Sequence, residues 1–146
     1  MNNKTKSLIF DFFQVGSIVF ILLTGPVIAS NIVFIVIQII AVLILSEAAW
    51  EMRRIKYYRV PDIGKQKELV RSGIFKYIRN PMYLAQLLFF GILVLNSFSM
   101  DRFTVFLIFT LNFILKIQYE EVLLTTHFKD YGQYKKTSWR LIPFLY

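Results

Sequence analysis

Four long apolar segments, at about 8–28, 32–50, 82–98 and 103–119, constrain this chain's fold more than any other feature. Each approaches the roughly 20 apolar residues that a hydrocarbon core requires. Backbone polar groups inside hydrocarbon must be satisfied within their own segment, so each run predicts a helix rather than an isolated strand. Gly25-Pro26 and Ser30-Asn31 punctuate the first pair, and Asn96-Ser97 and Met100-Asp101-Arg102 the second. Links this short predict two antiparallel hairpins. Of the 146 residues, 56% are hydrophobic and only 18% charged, against about a quarter charged in soluble domains. The expected architecture is therefore an all-α integral membrane protein, a single domain over 1–146. It has four transmembrane helices in two hairpins, a polar connecting segment and an amphipathic C-terminal helix. The first apolar block follows Lys4 and Lys6 but lacks a small-residue cleavage site, so it is expected to span rather than to be a removed signal.

Charge orients these segments. Of the 17 Lys and Arg residues, all but Arg102 lie in the N-terminal arm, in the 53–79 connection or from Lys116 onward. Under the positive-inside rule both termini and the long connection face the cytoplasm. The net charge of +8 then suits anionic lipid headgroups better than nucleic acid. With no cysteine and one histidine, His127, neither disulfides nor the usual metal centres are expected.

Between the second and third apolar runs, 60–64 reads as a turn and 65–71 as a short helix or extended lip on the membrane face. Beyond Glu121, Val122, Leu123, Leu124 and Phe128 alternate with Lys129, Asp130, Lys135 and Lys136, which predicts an interfacial helix ending before Pro143. Both polar segments fall on one side of the membrane, and a site would form where they meet. Gly73 permits an unusual φ or close backbone approach. Asn80-Pro81 reads as the N-cap and first residue of the third helix, whose N-terminus suits a carboxylate. Phe75 and Tyr83 flank that turn as possible aromatic platforms for a ligand. Asn112, Lys116 and Glu120, four apart, share one helix face; an exposed Lys116–Glu120 ion pair would stabilise the helix by only about 0.3–0.5 kcal/mol. Glu47 and Glu51 are expected to snorkel to the headgroups, with Glu47 as an alternative cleft wall. Asp11 and Gln14 suit interhelical hydrogen bonds. Trp50, Tyr57, Tyr58, Trp139 and Tyr146 read as interfacial anchors, and His127 as an ordinary interfacial residue.

Five motifs follow in order: Leu69-Val70-x-x-Gly73-x-Phe75, Arg79-Asn80-Pro81-x-Tyr83, Glu120-Glu121-x-x-Leu124-x-x-x-Phe128, Tyr131-x-x-Tyr134 and Arg140-x-x-Pro143. From about Lys67 to the end, this register resembles the isoprenylcysteine carboxyl methyltransferases, and the related phospholipid N-methyltransferases share much of it. The chain departs from that pattern at Asn80, where the family has histidine, at Phe75, where tyrosine is commoner, and at Lys116, which matches an arginine. The resemblance implies S-adenosyl-L-methionine as cofactor, bound without a Gly-x-Gly-x-x-Gly loop, in the half from 67 to 146. Implied cofactor contacts are Lys67, Glu68, Leu69, Val70, Gly73, Phe75, Asn80, Pro81, Met82, Tyr83 and Glu120. Lys116 would face the substrate and act in catalysis, and Glu121 or a water is the candidate base for an amine acceptor. The acceptor is expected to be a lipid or lipidated molecule entering from the bilayer, an isoprenylcysteine-like carboxylate first and a phospholipid amine second. A sterol-type reductase using a nicotinamide cofactor shares the Arg140–Tyr146 ending and the Arg79–Tyr83 turn but is generally much longer. A membrane scaffold would explain the helices and leave the motif register as coincidence.

Overall fold

The computed structural model describes residues 3–54 and 68–144, and the regular secondary structure among the described residues is helical apart from one isolated bridge. The helices are α1 (Asn3–Leu23), α2 (Ile32–Arg54), α3 (Pro81–Asn96), α4 (Met100–His127) and α5 (Tyr131–Thr137), with a 3₁₀ turn at Gly73–Lys76. The turn expected at 60–64, the Lys67 cofactor contact and the Tyr57, Tyr58 and Tyr146 anchors lie outside the described residues.

Local chemistry accounts for the helix ends. α1 begins five residues earlier than expected and ends at Leu23 rather than 28, because Pro26 disfavours helical backbone at the residue before it. Asn31 opens α2: its Oδ1 accepts from the Val33 N–H at 2.8 Å. α2 runs on past Trp50 through Arg53 and Arg54, cations suited to the negative end of the helix dipole. Pro81 starts α3, and Ser99 caps α4 by accepting from Arg102 N at 3.2 Å. α4 is much longer than the expected 103–119. It continues without a break to His127, so the segment after Glu121 expected to form a separate helix is its last two turns, and only the seven residues of α5 form a separate tail helix.

α1 and α2 are long and apolar enough to cross a membrane. Their apolar side chains face outward, as with Phe12 at 75% and Leu23 at 81% exposure, which suits lipid contact rather than the interior of a soluble domain. α3, at 16 residues, is shorter and better covered, and α4 carries Lys116 and Glu120 within its length. The links are short, yet the helices joined by them are not the ones that pack most closely. α2 lies along α3 and α1 along α4, each antiparallel. The small buried residues Ala41 and Ala48 lie on the packed face of α2, and small side chains let backbones approach. The main core is largely aromatic: Phe90, Phe109 and Phe113 pack with Ile21, Leu93 and Val94.

This arrangement gives the bundle two different ends. At one, the α1–α2 and α3–α4 links are tied to each other and to neighbouring helices. Ser30 N and Oγ both donate to Asn96 Oδ1 at 2.9 Å, and the buried Gln38 amide accepts from Ala29 N and donates to Val27 O. Arg102, only 2% exposed, donates to Ile21 O, Leu93 O and Thr24 Oγ1. A Cβ at Gly25 would overlap that guanidinium. At the other end the connecting segment and tail come together through a parallel bridge between Ile78 and Trp139. Arg79 N donates to Trp139 O, and Trp139 N to Tyr77 O, both at 2.8 Å.

Candidate functional site

At that second end, α1, α2, α3, α4, α5 and the 69–80 connection enclose a cavity of about 590 Å³, within the size range of small-ligand sites. Two polar zones lie on its wall. Toward the tail, Tyr83 Oη donates to the Glu120 carboxylate, 2.9 Å from each oxygen, beside Asn80, Phe75, Tyr131 and Tyr134. One turn further into the bundle, Lys116 Nζ donates to Asp11 Oδ1 at 2.7 Å and to Gln14 Oε1 at 2.9 Å. The Gln14 amide then donates to Gln86 Oε1 at 2.9 Å. One network thus joins α1, α3 and α4. The Lys116 ammonium also stands 5.6 Å from the Tyr83 ring centroid, within cation–π range, so the two zones touch through Tyr83.

Of the expected cofactor contacts, Leu69, Val70, Phe75, Asn80, Pro81, Met82, Tyr83 and Glu120 line this cavity, as does Lys116. Glu68 is exposed and does not. Gly73 does not either: it holds φ at +55° against the end of α2, where a Cβ would come within 2.6 Å of Glu47 Oε1 and 2.8 Å of Glu51 Cγ. Its glycine is required by the close approach of α2. Asn80 occupies the N-cap position of α3 but makes no capping bond; its amide donates instead to Arg140 O at 2.9 Å and ties the tail to α3. Glu51 is buried rather than snorkelling, accepting from Ser72 Oγ and pairing with Arg54 at 3.1 Å. Glu47 is exposed and lies off the cavity. Trp50 and Trp139 are exposed at 63% and 41%, as anchors would be.

Glu121 has a different setting from that expected of a base. It is 2% exposed and off the cavity wall, with its oxygens 2.8 Å from Arg79 Nε and 2.9 Å from Arg140 Nη2. Lys135 Nζ stands 3.8 Å away. Arg79 also donates to the carbonyls of Lys135 and Ser138. Glu121 therefore clamps the connection and the tail onto α4, and proton transfer to a cavity ligand would need that clamp to open. The Lys116–Glu120 pair is likewise replaced: Lys116 binds Asp11 across the bundle, and Glu120 binds Tyr83. Tyr134 completes the tail wall by donating to Phe75 O at 2.5 Å, and burial pushes its phenol up to about 12.

Sequence reading missed several lining residues: Ser7 and Val15 of α1, Ala49, Met52 and Arg53 of α2, and Gln86 of α3. Asp11 and Gln14 were legible as hydrogen-bonding residues but not as cavity wall. An aspartate within an apolar span is a site signal in itself, and Gln86 inside an otherwise apolar helix carries a weaker form of it.

A family model described as phospholipid methyltransferase matches residues 31–131. It takes in α2, the connection, α3 and α4, and leaves α1 and nearly all of the tail outside. No curated protein and no solved structure gave a significant match. The matching description is the phospholipid one of the two activities that the motifs resemble, and it does not single out isoprenylcysteine as acceptor. With more than half its length matched, this membrane protein belongs to the phospholipid methyltransferase family.

Proposed function

We propose that the chain transfers a methyl group from S-adenosyl-L-methionine to the amine headgroup of a phospholipid, within the cavity. The supporting observation is that Lys116, the cation expected to hold an acceptor carboxylate, is already paired with Asp11. An isoprenylcysteine-like carboxylate would therefore meet a neutralised pair, and O-methylation of such a substrate becomes the second reading. The cavity's chemistry fits the cofactor: a sulfonium and an ammonium both favour the carboxylate of Glu120 and the aromatic faces of Phe75, Tyr83, Tyr131 and Tyr134. Bound there, S-adenosyl-L-methionine would supply an electrophilic methyl on sulfonium. Glu120, oriented by Tyr83, would hold its cationic part, and Leu69, Val70 and Met82 would pack on its apolar edges. The acceptor nitrogen would enter from the bilayer beside α1 and lose its proton to water or to a cavity carboxylate rather than to the clamped Glu121. Holding both reactants in one cavity would lower the barrier by orientation. We also read α3 and α4 as membrane-embedded, giving four spans with both termini and the cavity mouth cytoplasmic.

The test is incubation of purified protein with methyl-labelled S-adenosyl-L-methionine and mixed phospholipids, resolved by class. Label in the amine-headed class is expected. Label confined to a carboxylate-bearing acceptor would replace this function with the second reading. S-adenosylhomocysteine at about 100 times its dissociation constant should raise stability by about 2.7 kcal/mol. No shift with it, together with a shift by a reduced nicotinamide nucleotide, would overturn methyl transfer altogether.

A further inference from the structure

Asp11 lies on α1, outside the segment that matches the family, yet it engages a buried cation on the cavity wall. Its side chain remains 41% accessible, whereas that of Lys116 remains 10% accessible. Lys116 Nζ is turned to Asp11 and Gln14, and Gln14 is in turn held by Gln86. A headgroup arriving at this part of the cavity therefore meets a carboxylate before it meets an ammonium. The other carboxylate nearby, Glu120, is engaged by Tyr83. Of the remaining cavity cations, Arg79 is committed to Glu121 and the tail carbonyls, and Arg53 lies at the exposed end of α2.

We infer that Asp11 is the residue that selects the acceptor by charge: it neutralises Lys116 and offers its accessible carboxylate to an amine, so that amphiphiles headed by an amine are admitted and carboxylate-headed ones are rejected. This rests on the acceptor cavity proposed above, and it makes Lys116 a positioning residue that holds Asp11 in place. Without Asp11, the same lysine becomes an anion site, and the preference should reverse.

The test reads acceptor binding without methyl transfer. Spin-labelled stearate and spin-labelled stearylamine, of equal chain length, are introduced into liposomes containing the full-length protein. The motionally restricted fraction in electron paramagnetic resonance then gives their relative association. Wild type should prefer the amine. Asp11→Asn keeps the side-chain shape, and it should shift the ratio toward stearate by about ten-fold or more, the scale of one charged hydrogen bond. The Asp11→Asn/Lys116→Met double variant should lose that gain for stearate. Lys116→Met alone should raise the amine preference above wild type, and it carries the test if Asp11→Asn does not fold. An unchanged ratio in Asp11→Asn overturns the inference, as does a stearate gain that survives in the double variant or an unchanged ratio in Lys116→Met. The S-adenosylhomocysteine stability shift is measured on the same samples. Its absence would defeat the methyltransferase proposal while leaving the binding ratios to judge Asp11 on their own.

Discussion

α4 buries one cation, Arg102, in its first turn and another, Lys116, past its midpoint, and the two have opposite surroundings. Arg102 is enclosed by carbonyls at the ends of α1 and α3, with Gly25 leaving just enough space for its guanidinium. It is not among the residues that line the candidate-site cavity. Lys116, about four turns further along, is bound by side chains rather than backbone, and it faces a cavity. Burial of a charge therefore does not by itself mark a functional site. A cation whose terminal nitrogens bind helix-end carbonyls is a staple that offsets dipoles, whereas one held by a replaceable, partly accessible carboxylate can respond to a ligand. Arg102 was also the lone cation of the short links, the exception to the charge asymmetry. It is a buried structural group rather than a solvated loop charge.

The largest expected effect sharpens this contrast from the cavity end. Glu121→Leu would leave Arg79 and Arg140 without their shared carboxylate, and breaking a buried pair typically costs about 3–5 kcal/mol. The thermal midpoint in detergent should fall steeply, and cofactor affinity of the remaining folded protein should fall too, because the tail wall loosens. Retained stability would mean that the clamp is not structural. Arg102→Met should cost somewhat less, about 2–3 kcal/mol for the unsatisfied Ile21 and Leu93 carbonyls. Here S-adenosylhomocysteine affinity measured by calorimetry should stay unchanged; a parallel loss of affinity would break the division between the two ends.

The third expectation concerns pH. The Tyr134 phenol is raised in the folded protein to about 12 from 10.0 by burial. Its contribution is therefore intact below pH 10 and is lost as pH rises from 10 toward 12, because only the unfolded chain ionises readily there. The loss approaches about 2–3 kcal/mol. Wild type minus Tyr134→Phe, followed by melting temperature across that window, isolates it from lysine titration. A parallel pH dependence in the two proteins would rule out a buried phenol. The smallest expected effect contrasts neighbours one turn apart. Glu120→Gln should weaken S-adenosylhomocysteine by about ten-fold, while Lys116→Met should change it by less than about two-fold. Equal losses would merge the two zones into one cofactor site.

Sequence alone determined the helical, apolar character of the chain, because periods, breaks and hydrocarbon length are local properties. It also determined most of the tail-side cavity wall, from Leu69 to Tyr83 and at Glu120, because those positions recur in a recognisable order. Partner choice was decided only by tertiary structure. Glu120 and Glu121 are adjacent and chemically alike, yet one faces the cavity and the other a pair of arginines, since neighbours on a helix point about 100° apart. Asn80 was placed correctly at the head of α3 but bonds to Arg140, 60 residues away, rather than to its own helix. Lys116 could pair with Glu120 on local spacing alone; the packing of α1 along α4 brought Asp11 to it from 105 positions earlier. Helix spacing restricts which residues share a face, but the charge that such a face meets depends on which neighbour packs against it.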